Sequence, residues 1–235
     1  MNIEKNAQAS ELPIAASRAL NKLFQENIAR PILFLTSGGS SFDLLDHVKI
    51  PQDSHISVGV LDERYSLDPT INNFTQLKNT PFFQRSEKLF EHILDTSASE
   101  LNSLEEFAGW YESWIRTWMV ENPSGVIIAT IGMGSDGHTS GMMPFPEDES
   151  RFEKLFNDGY RLVVGYDAGN KNQYPMRATT TCEFMRRIHH GVAYIVGEGK
   201  QEAWGRVVLD TGNLAQTPAR ILREMEDVRV FTDLK

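Results

Sequence analysis

The sequence is poor in cysteine: its 235 residues include only Cys182. A single cysteine excludes an internal disulfide framework and a zinc site built from several cysteines, and it is typical of proteins in a reducing compartment. The chain also contains no run of 18 apolar residues, and its first segment, MNIEKNAQASELP, lacks the apolar core of a signal peptide. We therefore expect a soluble, cytoplasmic protein without a membrane partner.

Basic residues are also fewer than acidic residues. The 23 lysines and arginines are outnumbered by 32 aspartates and glutamates, which gives a formal net charge of −9. Because nucleic acids bind to broad basic surfaces, this balance argues against a nucleic-acid partner. It does not exclude a small anion, since such a ligand responds to the local field of two or three cations and nearby amides.

Five short segments are almost wholly apolar, and helical patterns separate them. Strands are predicted over residues 32–35, 57–61, 125–131, 192–196 and 228–231. Apolar strands that alternate with helices indicate a parallel sheet covered on both faces. We therefore predict an α/β fold with an open, mostly parallel, doubly wound sheet of the Rossmann-like type, with residues 1–235 forming one domain.

Two predicted helices carry signals of their own. Ser10 is predicted to cap a helix that runs to about Ala29. In a second helix, predicted over residues 97–121, Trp110, Trp114 and Trp118 follow one another at steps of four residues. We expect this stripe to pack in the core, and a stacking platform for bases or sugars is the alternative.

Polar and glycine-rich segments follow the predicted strands, at the edge where α/β sheets bind ligands. Residues 37–40, Ser-Gly-Gly-Ser, can direct consecutive backbone N–H groups at a phosphate, although a tight turn with a serine cap needs the same residue types. Residues 62–64, Asp-Glu-Arg, can tune a pKa or anchor a polar ligand, and a solvated strand end is the alternative.

The loop after the third predicted strand, at residues 132–138, holds a carboxylate and an imidazole. It contains the dinucleotide pattern GxGxxG, but its place mid-chain and the negative charge of Asp136 argue against a dinucleotide. His138 suits the role of a general base that Asp136 orients; a purely structural histidine is the alternative. Asp-x-His also offers two metal ligands, but the only other histidine cluster is His189-His190, and we expect neither metal nor cofactor.

Two cations complete the candidate site. Arg177 follows Pro175 closely, and Lys200 is predicted in the first turn of a helix, where its charge opposes the helix dipole. An anion bound beside Lys200 would remove that conflict. The alternative for each is an exposed surface cation.

In this order, the segments resemble the motifs of the 6-phosphogluconolactonase family, within the wider group that includes glucosamine-6-phosphate deaminases. Residues 37–40 are similar to the family's SGGSTP loop, and residues 62–64 with 72–74 are similar to its DER…SN segment. The most specific likeness is between residues 132–144 and the motif GMGxDGHTASLFP. The PxRxT and GxxK segments and the closing helix have counterparts at 175–179, 197–200 and 217–222.

The same comparison separates the branches of the group. In deaminases, the sequence at the second strand is similar to DEYVG, and a glutamate follows the loop histidine by five residues. In this chain Arg64 follows Asp-Glu, and Met143 occupies the fifth position. We therefore favour the lactonase branch. Residues 41–42, Ser-Phe, and 141–143, Gly-Met-Met, depart from the usual Thr-Pro and Ser-Leu-Phe, and both departures bear on substrate preference.

The resemblance implies hydrolysis of 6-phospho-D-glucono-1,5-lactone to 6-phosphogluconate, in the oxidative pentose phosphate pathway and without a cofactor. It implies His138 as the general base, Asp136 as its orienting group, and Arg64 or a loop amide as the group that stabilises the oxyanion. The implied substrate and phosphate ligands are Ser37, Gly38, Gly39, Ser40, Asp62, Glu63, Asn73, Arg177 and Lys200. Asp62 and Glu63 either bind sugar hydroxyls or position Arg64.

Two other functions are carried as alternatives. One is an isomerase or deaminase that acts on an amino-sugar phosphate, and the other is a sugar-phosphate sensor without catalytic activity. Either a monomer or a homodimer is compatible with the sequence.

Overall fold

The structure is a computed structural model and describes residues 1–5, 9–97 and 103–235. Its strands are β1 (Asn2–Lys5), β2 (Pro31–Thr36), β3 (His55–Val60), β4 (Asp62–Arg64), β5 (Phe90–Ile93), β6 (Val126–Ile131), β7 (Val163–Asp167), β8 (Met176–Thr180), β9 (His190–Ile195) and β10 (Val228–Thr232). Its α-helices are α1 (Leu12–Glu26), α2 (Asn73–Lys78), α3 (Pro81–Ser86), α4 (Leu104–Glu121), α5 (Glu149–Phe156), α6 (Cys182–Arg186) and α7 (Gln201–Val208).

Seven strands form a central sheet in the order β1-β10-β9-β6-β2-β3-β5, and each neighbouring pair is parallel. Successive side chains of a strand point to opposite faces, so an apolar strand feeds two cores. In β2, Ile32 and Phe34 pack with α1, α2 and α3 on one face, whereas Leu33 and Leu35 pack with α4 to α7 on the other. The predicted α/β fold with a parallel, doubly wound sheet is confirmed.

A second, three-stranded sheet in the order β4-β8-β7 is antiparallel throughout and was not predicted. Each of the five predicted strands overlaps a strand of the central sheet. The two edge strands of that sheet, β1 and β5, were not predicted. Both edge strands are mostly exposed and carry charged residues, so neither shows an apolar run.

The start of α1 corrects one prediction. Ser10 lies inside a 3₁₀ turn, Ala9–Glu11, and Glu11 occupies the cap position without a side-chain cap bond. Pro13 stands in the first turn, where a helix has no use for its missing N–H, so a proline rather than a serine cap marks the beginning of α1. The helix ends at Glu26, three residues before the predicted end.

The tryptophan stripe on α4 is only partly in the core. Trp118 is buried, Trp114 is half-buried, and Trp110 is 36% exposed. A helix turns once in 3.6 residues, so two steps of four rotate the last tryptophan by about 80° from the first. The buried face instead consists of Phe107, Ala108, Tyr111, Ile115 and Trp118. The predicted start of this helix adjoins residues 98–102, which lie outside the described residues.

Cys182 opens α6 in the interior of the protein. Burial raises the pKa of its thiol to about 12, and its Sγ lies 3.8 Å from the sulfur of Met142. The thiol is therefore protonated and unreactive in the folded state. Among the described residues, none of the helices has both the length and the apolar composition needed to span a bilayer.

Candidate functional site

A cavity of about 280 Å³ opens at the carboxyl ends of β2, β6 and β9, and β4 and β8 of the small sheet form one of its walls. Ten of the twelve predicted site residues line this cavity: Ser37, Gly38, Gly39, Ser40, Asp62, Arg64, Asn73, His138, Arg177 and Lys200. Of the other two, Glu63 is buried behind the wall, and Asp136 lies beside the cavity with a side chain that is 41% exposed. The carboxyl ends of parallel strands meet at one edge of a sheet, and this explains why segments so distant in sequence converge.

The loop at residues 37–40 is held by its neighbours. The hydroxyl of Ser37 accepts a hydrogen bond of 3.2 Å from the N–H of Gly132, which ties the loop after β2 to the loop after β6. A Cβ on Gly38 would lie 2.6 Å from Oδ1 of Asn73, so only glycine fits beside that amide. Gly39 has φ +65°, a conformation that glycine adopts without strain.

His138 and Asp136 form a bonded pair. Oδ1 of Asp136 lies 2.6 Å from Nδ1 of His138 and also accepts the backbone N–H of His138 at 3.0 Å. Burial acts to raise the pKa of Asp136, but its hydrogen bonds to His138 and the charge of that ring outweigh burial and hold the pKa below its usual value. With Nδ1 engaged by a carboxylate, Nε2 is the nitrogen left to accept a proton.

Arg177 and Asp62 form a buried ion pair across the small sheet. Nη2 of Arg177 lies 2.5 Å from Oδ2 of Asp62, and the two side chains are 5% and 6% exposed. In the antiparallel register of β4 and β8, Arg64 stands directly opposite Arg177. The guanidinium of Arg64 lies over the ring of Tyr174 and donates to the carbonyl of Ile71 at 3.1 Å. The wall therefore carries two guanidinium groups but only one paired carboxylate.

Lys200 comes from the opposite side of the cavity. It ends a 3₁₀ turn after β9, and its Nζ lies 3.5 Å from Oγ of Ser40. Burial lowers the pKa of Lys200, although Asp233 and Asp43 act in the opposite direction. A partly buried ammonium beside the glycine-rich loop is an arrangement that favours an anion.

Glu63, predicted as a substrate ligand or a support for Arg64, does not line the cavity. The side chain is fully buried, and its carboxylate accepts hydrogen bonds from the N–H groups of Arg64, Asn73 and Phe74 and from the hydroxyl of Thr96. Side chains alternate along a strand, so Asp62 and Arg64 face the cavity while Glu63 points away from it. Burial raises its pKa to about 7 even though all four bonds act to lower it.

Six further lining residues were not predicted as site residues: Gly132, Met133, Gly134, Thr139, Ser140 and Gly141. Gly141 has φ +73°, and a Cβ there would lie 2.9 Å from Oδ2 of Asp62, so glycine is needed at this position. Their signal in the sequence was the motif at 132–144, in which Gly141 counted as a departure.

In the described part of the chain, no three histidine, cysteine, aspartate or glutamate side chains are grouped as a metal site requires.

Comparison with known proteins identifies the family. A family model described as "Glucosamine-6-phosphate isomerases/6-phosphogluconolactonase" matches residues 7–231. The chain belongs to this family. The residues matched to the glucosamine-6-phosphate isomerase/6-phosphogluconolactonase family include every segment that lines the cavity.

Individual members of the family are distant in sequence. A probable 6-phosphogluconolactonase of Dictyostelium discoideum is 21% identical over 204 residues, which cover 83% of this chain and 81% of the relative. A 6-phosphogluconolactonase of Synechocystis is 27% identical over 135 residues, which cover 56% and 50%.

Solved structures share the architecture. The 6-phosphogluconolactonase of Shewanella baltica superposes with a TM-score of 0.77 at 18% identity, over 99% of this chain and 96% of that protein. The enzyme of Trypanosoma brucei gives a TM-score of 0.73 at 20% identity, over 98% and 95%. At these identities the likeness establishes the fold.

Proposed function

We propose that this protein hydrolyses 6-phospho-D-glucono-1,5-lactone to 6-phosphogluconate, in the oxidative pentose phosphate pathway. The observation that carries the proposal is the Asp136–His138 pair at the edge of a cavity whose walls bear Arg64, Arg177 and Lys200. A base beside several cations suits water attack on a phosphorylated substrate. The names of the relatives support the same activity.

Phosphate binding is assigned to the side of the cavity where the loop after β2 meets Lys200. The hydroxyl of Ser40, the amides of Gly38 and Gly39, and Lys200 lie at this side, and Arg177 completes the set from the small sheet. Arginine suits forked contact with phosphate oxygens, and lysine supplies a compact charge. Asp62 acts as the partner that holds Arg177, which leaves the sugar hydroxyls to Asn73.

The chemical step needs one base and one oxyanion site. Nε2 of His138 takes a proton from water as the water oxygen attacks C1 of the lactone, and Asp136 stabilises the imidazolium that forms. The charge that develops on the carbonyl oxygen is stabilised by Arg64 or by a loop amide. When the bond between C1 and the ring oxygen breaks, His138 returns the proton to that oxygen, and the product leaves as an open-chain acid.

The test is His138→Gln, assayed by acid release from freshly prepared lactone and corrected for spontaneous hydrolysis. Loss of a general base lowers kcat by about 10² or more. His92→Gln, at an exposed position of β5, is the matched control and keeps the wild-type rate. An unchanged rate for His138→Gln contradicts the assignment, and ammonia release from glucosamine 6-phosphate would establish the deaminase alternative.

We also propose a cytoplasmic location and a single domain over residues 1–235. The lone buried thiol of Cys182 supports the first, because it suits a reducing compartment. Cell fractionation tests the location, a single cooperative unfolding transition tests the domain, and sizing chromatography separates a monomer from a homodimer.

A further inference from the structure

The buried carboxylate of Glu63 joins three separate segments behind the cavity wall. Its Oε1 accepts the backbone N–H groups of Arg64 at 2.7 Å and of Asn73 at 2.5 Å. Its Oε2 accepts the N–H of Phe74 at 3.0 Å and the hydroxyl of Thr96 at 2.7 Å. One side chain therefore connects β4, the first turn of α2 and the segment that follows β5.

Two of these donors belong to residues that line the cavity. Arg64 and Asn73 both reach the cavity with their side chains while their backbone N–H groups share one oxygen of Glu63. The contact is reinforced on both sides, because Asn72 donates to the carbonyl of Arg64 at 2.6 Å and Asn73 donates to that of Asp62 at 2.8 Å. Glu63 thus fixes the spacing between the strand end and the helix.

Glu63 also takes the place of a helix cap. The first N–H groups of a helix need acceptors, which the side chain at the cap position usually supplies. Asn72 holds that position in α2, but its side chain makes no cap bond and is used on Arg64 instead. Without the carboxylate, the N–H groups of Asn73 and Phe74 would lose the acceptors that they have in the interior.

An amide cannot replace this carboxyl group, because both carboxyl oxygens retain acceptor capacity even when the group is protonated. Four donors converge on the two oxygens of Glu63, so each oxygen accepts two hydrogen bonds. Glutamine has one acceptor oxygen, and its NH₂ group would face two other donors. Since the site is buried, those donors would remain unsatisfied and the two segments would separate.

We propose that Glu63 is a positioning residue, which holds Arg64 and Asn73 in the cavity wall without contacting the substrate. The inference rests on the proposed lactone hydrolysis for its kinetic consequence. The placement of the backbone is independent of that function, and the two parts are tested separately.

The kinetic test is a double-mutant cycle between Glu63 and Arg64. Glu63→Gln lowers kcat/KM by about tenfold or more, because unsatisfied buried donors displace the arginine. In an Arg64→Met background the same change lowers kcat/KM by less than about threefold, since little remains for Glu63 to position. Equal factors in both backgrounds overturn the inference, because a merely structural loss adds to that of Arg64.

A milder pair of variants keeps the test valid if Glu63→Gln does not fold. Thr96→Val removes one of the four donors and lowers kcat/KM by about threefold to tenfold. Thr130→Val is the matched control, because the hydroxyl of Thr130 is buried in β6 and has no hydrogen-bond partner among the described residues. The control keeps the wild-type activity. Equal activity of the two variants contradicts the positioning role.

Amide hydrogen exchange tests the placement without any assay of activity. In Glu63→Gln, and to a smaller extent in Thr96→Val, the N–H groups of Arg64, Asn73 and Phe74 exchange about tenfold faster, while those of β6 are unchanged. Unchanged exchange at these three amides overturns the inference even if the lactone is hydrolysed. If these amides exchange faster in the variants but the wild-type protein does not hydrolyse the lactone, the proposed function is refuted and the placement by Glu63 stands.

Discussion

A single methyl group added at Gly134 is expected to displace the imidazole of His138. A Cβ at this position would lie 2.2 Å from both Nδ1 and Cε1 of His138, and 2.7 Å from Oδ1 of Asp136. Carbon atoms in contact normally stand about 3.5–4.0 Å apart, so the ring must retreat by more than about 1 Å. Gly134 does not have a left-handed φ, so alanine is compatible with the backbone and the effect is confined to the contact.

The size of the effect follows from the geometry of proton transfer. A displacement of about 1 Å at a reacting group can cost about 10² in rate. We therefore expect Gly134→Ala to lower kcat about 100-fold, with little change in KM, because the proposed phosphate ligands Arg177 and Lys200 lie elsewhere in the cavity. Overpacking of this kind also costs about 1–3 kcal/mol in the free energy of unfolding.

Gly109→Ala is the matched control for this variant. A Cβ on Gly109, in the middle of α4, would meet no atom within 4 Å. Alanine is favoured over glycine in a helix by about 1 kcal/mol, so the control is expected to unfold at higher urea and to keep the wild-type kcat. The reasoning is refuted if Gly134→Ala, shown to be folded by its urea transition, hydrolyses the lactone within about threefold of the wild-type rate.

The remaining predictions concern Lys200 and the titration of Glu63. Lys200→Met is expected to raise KM more than it lowers kcat, because a phosphate contact is common to the ground and transition states; an unchanged KM would exclude Lys200 from the phosphate site. Burial raises the pKa of Glu63 from 4.5 to about 7, so its contribution to stability is present below pH 4.5 and is lost as the pH rises through 7, by about 3 kcal/mol. Urea unfolding at pH 5 and pH 8 measures this loss in the free energy of unfolding, and Glu63→Gln is not expected to show it. The prediction is contradicted if the wild type and the variant lose the same free energy between the two pH values.

Much of the site was predictable because of the parallel sheet. Once the strands ending before Ser37, Gly132 and Gly197 are placed side by side, their loops must share one edge. No long-range contact has to be known for that step, since strand direction alone brings the loops together. The cavity lined by Ser40, His138 and Lys200 follows from it.

The roles of Asp62 and Glu63 were not predictable in the same way. Which carboxylate faces the cavity depends on β4, a strand of three residues whose partner β8 lies more than a hundred positions later in the chain. The donor Thr96 reaches Glu63 from yet another segment, and no local pattern links them. Asp62 and Glu63 are adjacent in sequence but have opposite environments. Only the pairing of β4 with β8 determines which carboxylate faces the cavity and which is buried behind its wall.

The glycines show a similar limit. The sequence places Gly38 in a predicted phosphate loop and Gly141 among the departures from the family motif. In the structure each glycine has a side chain from another segment against it, Asn73 at Gly38 and Asp62 at Gly141. A glycine in the sequence indicates that a side chain is not tolerated at that position. It does not indicate what fills the space.

The buried thiol of Cys182 gives the protein an internal chemical probe of local opening. Because the thiol is protonated and enclosed in the folded state, alkylating reagents modify it only in molecules whose α6 has moved away from the interior. Its sulfur lies against Met142, the neighbour of Gly141 in the cavity loop, so a ligand that holds this loop slows the modification. The rate of alkylation thus reports how often α6 opens, without any label added to the chain.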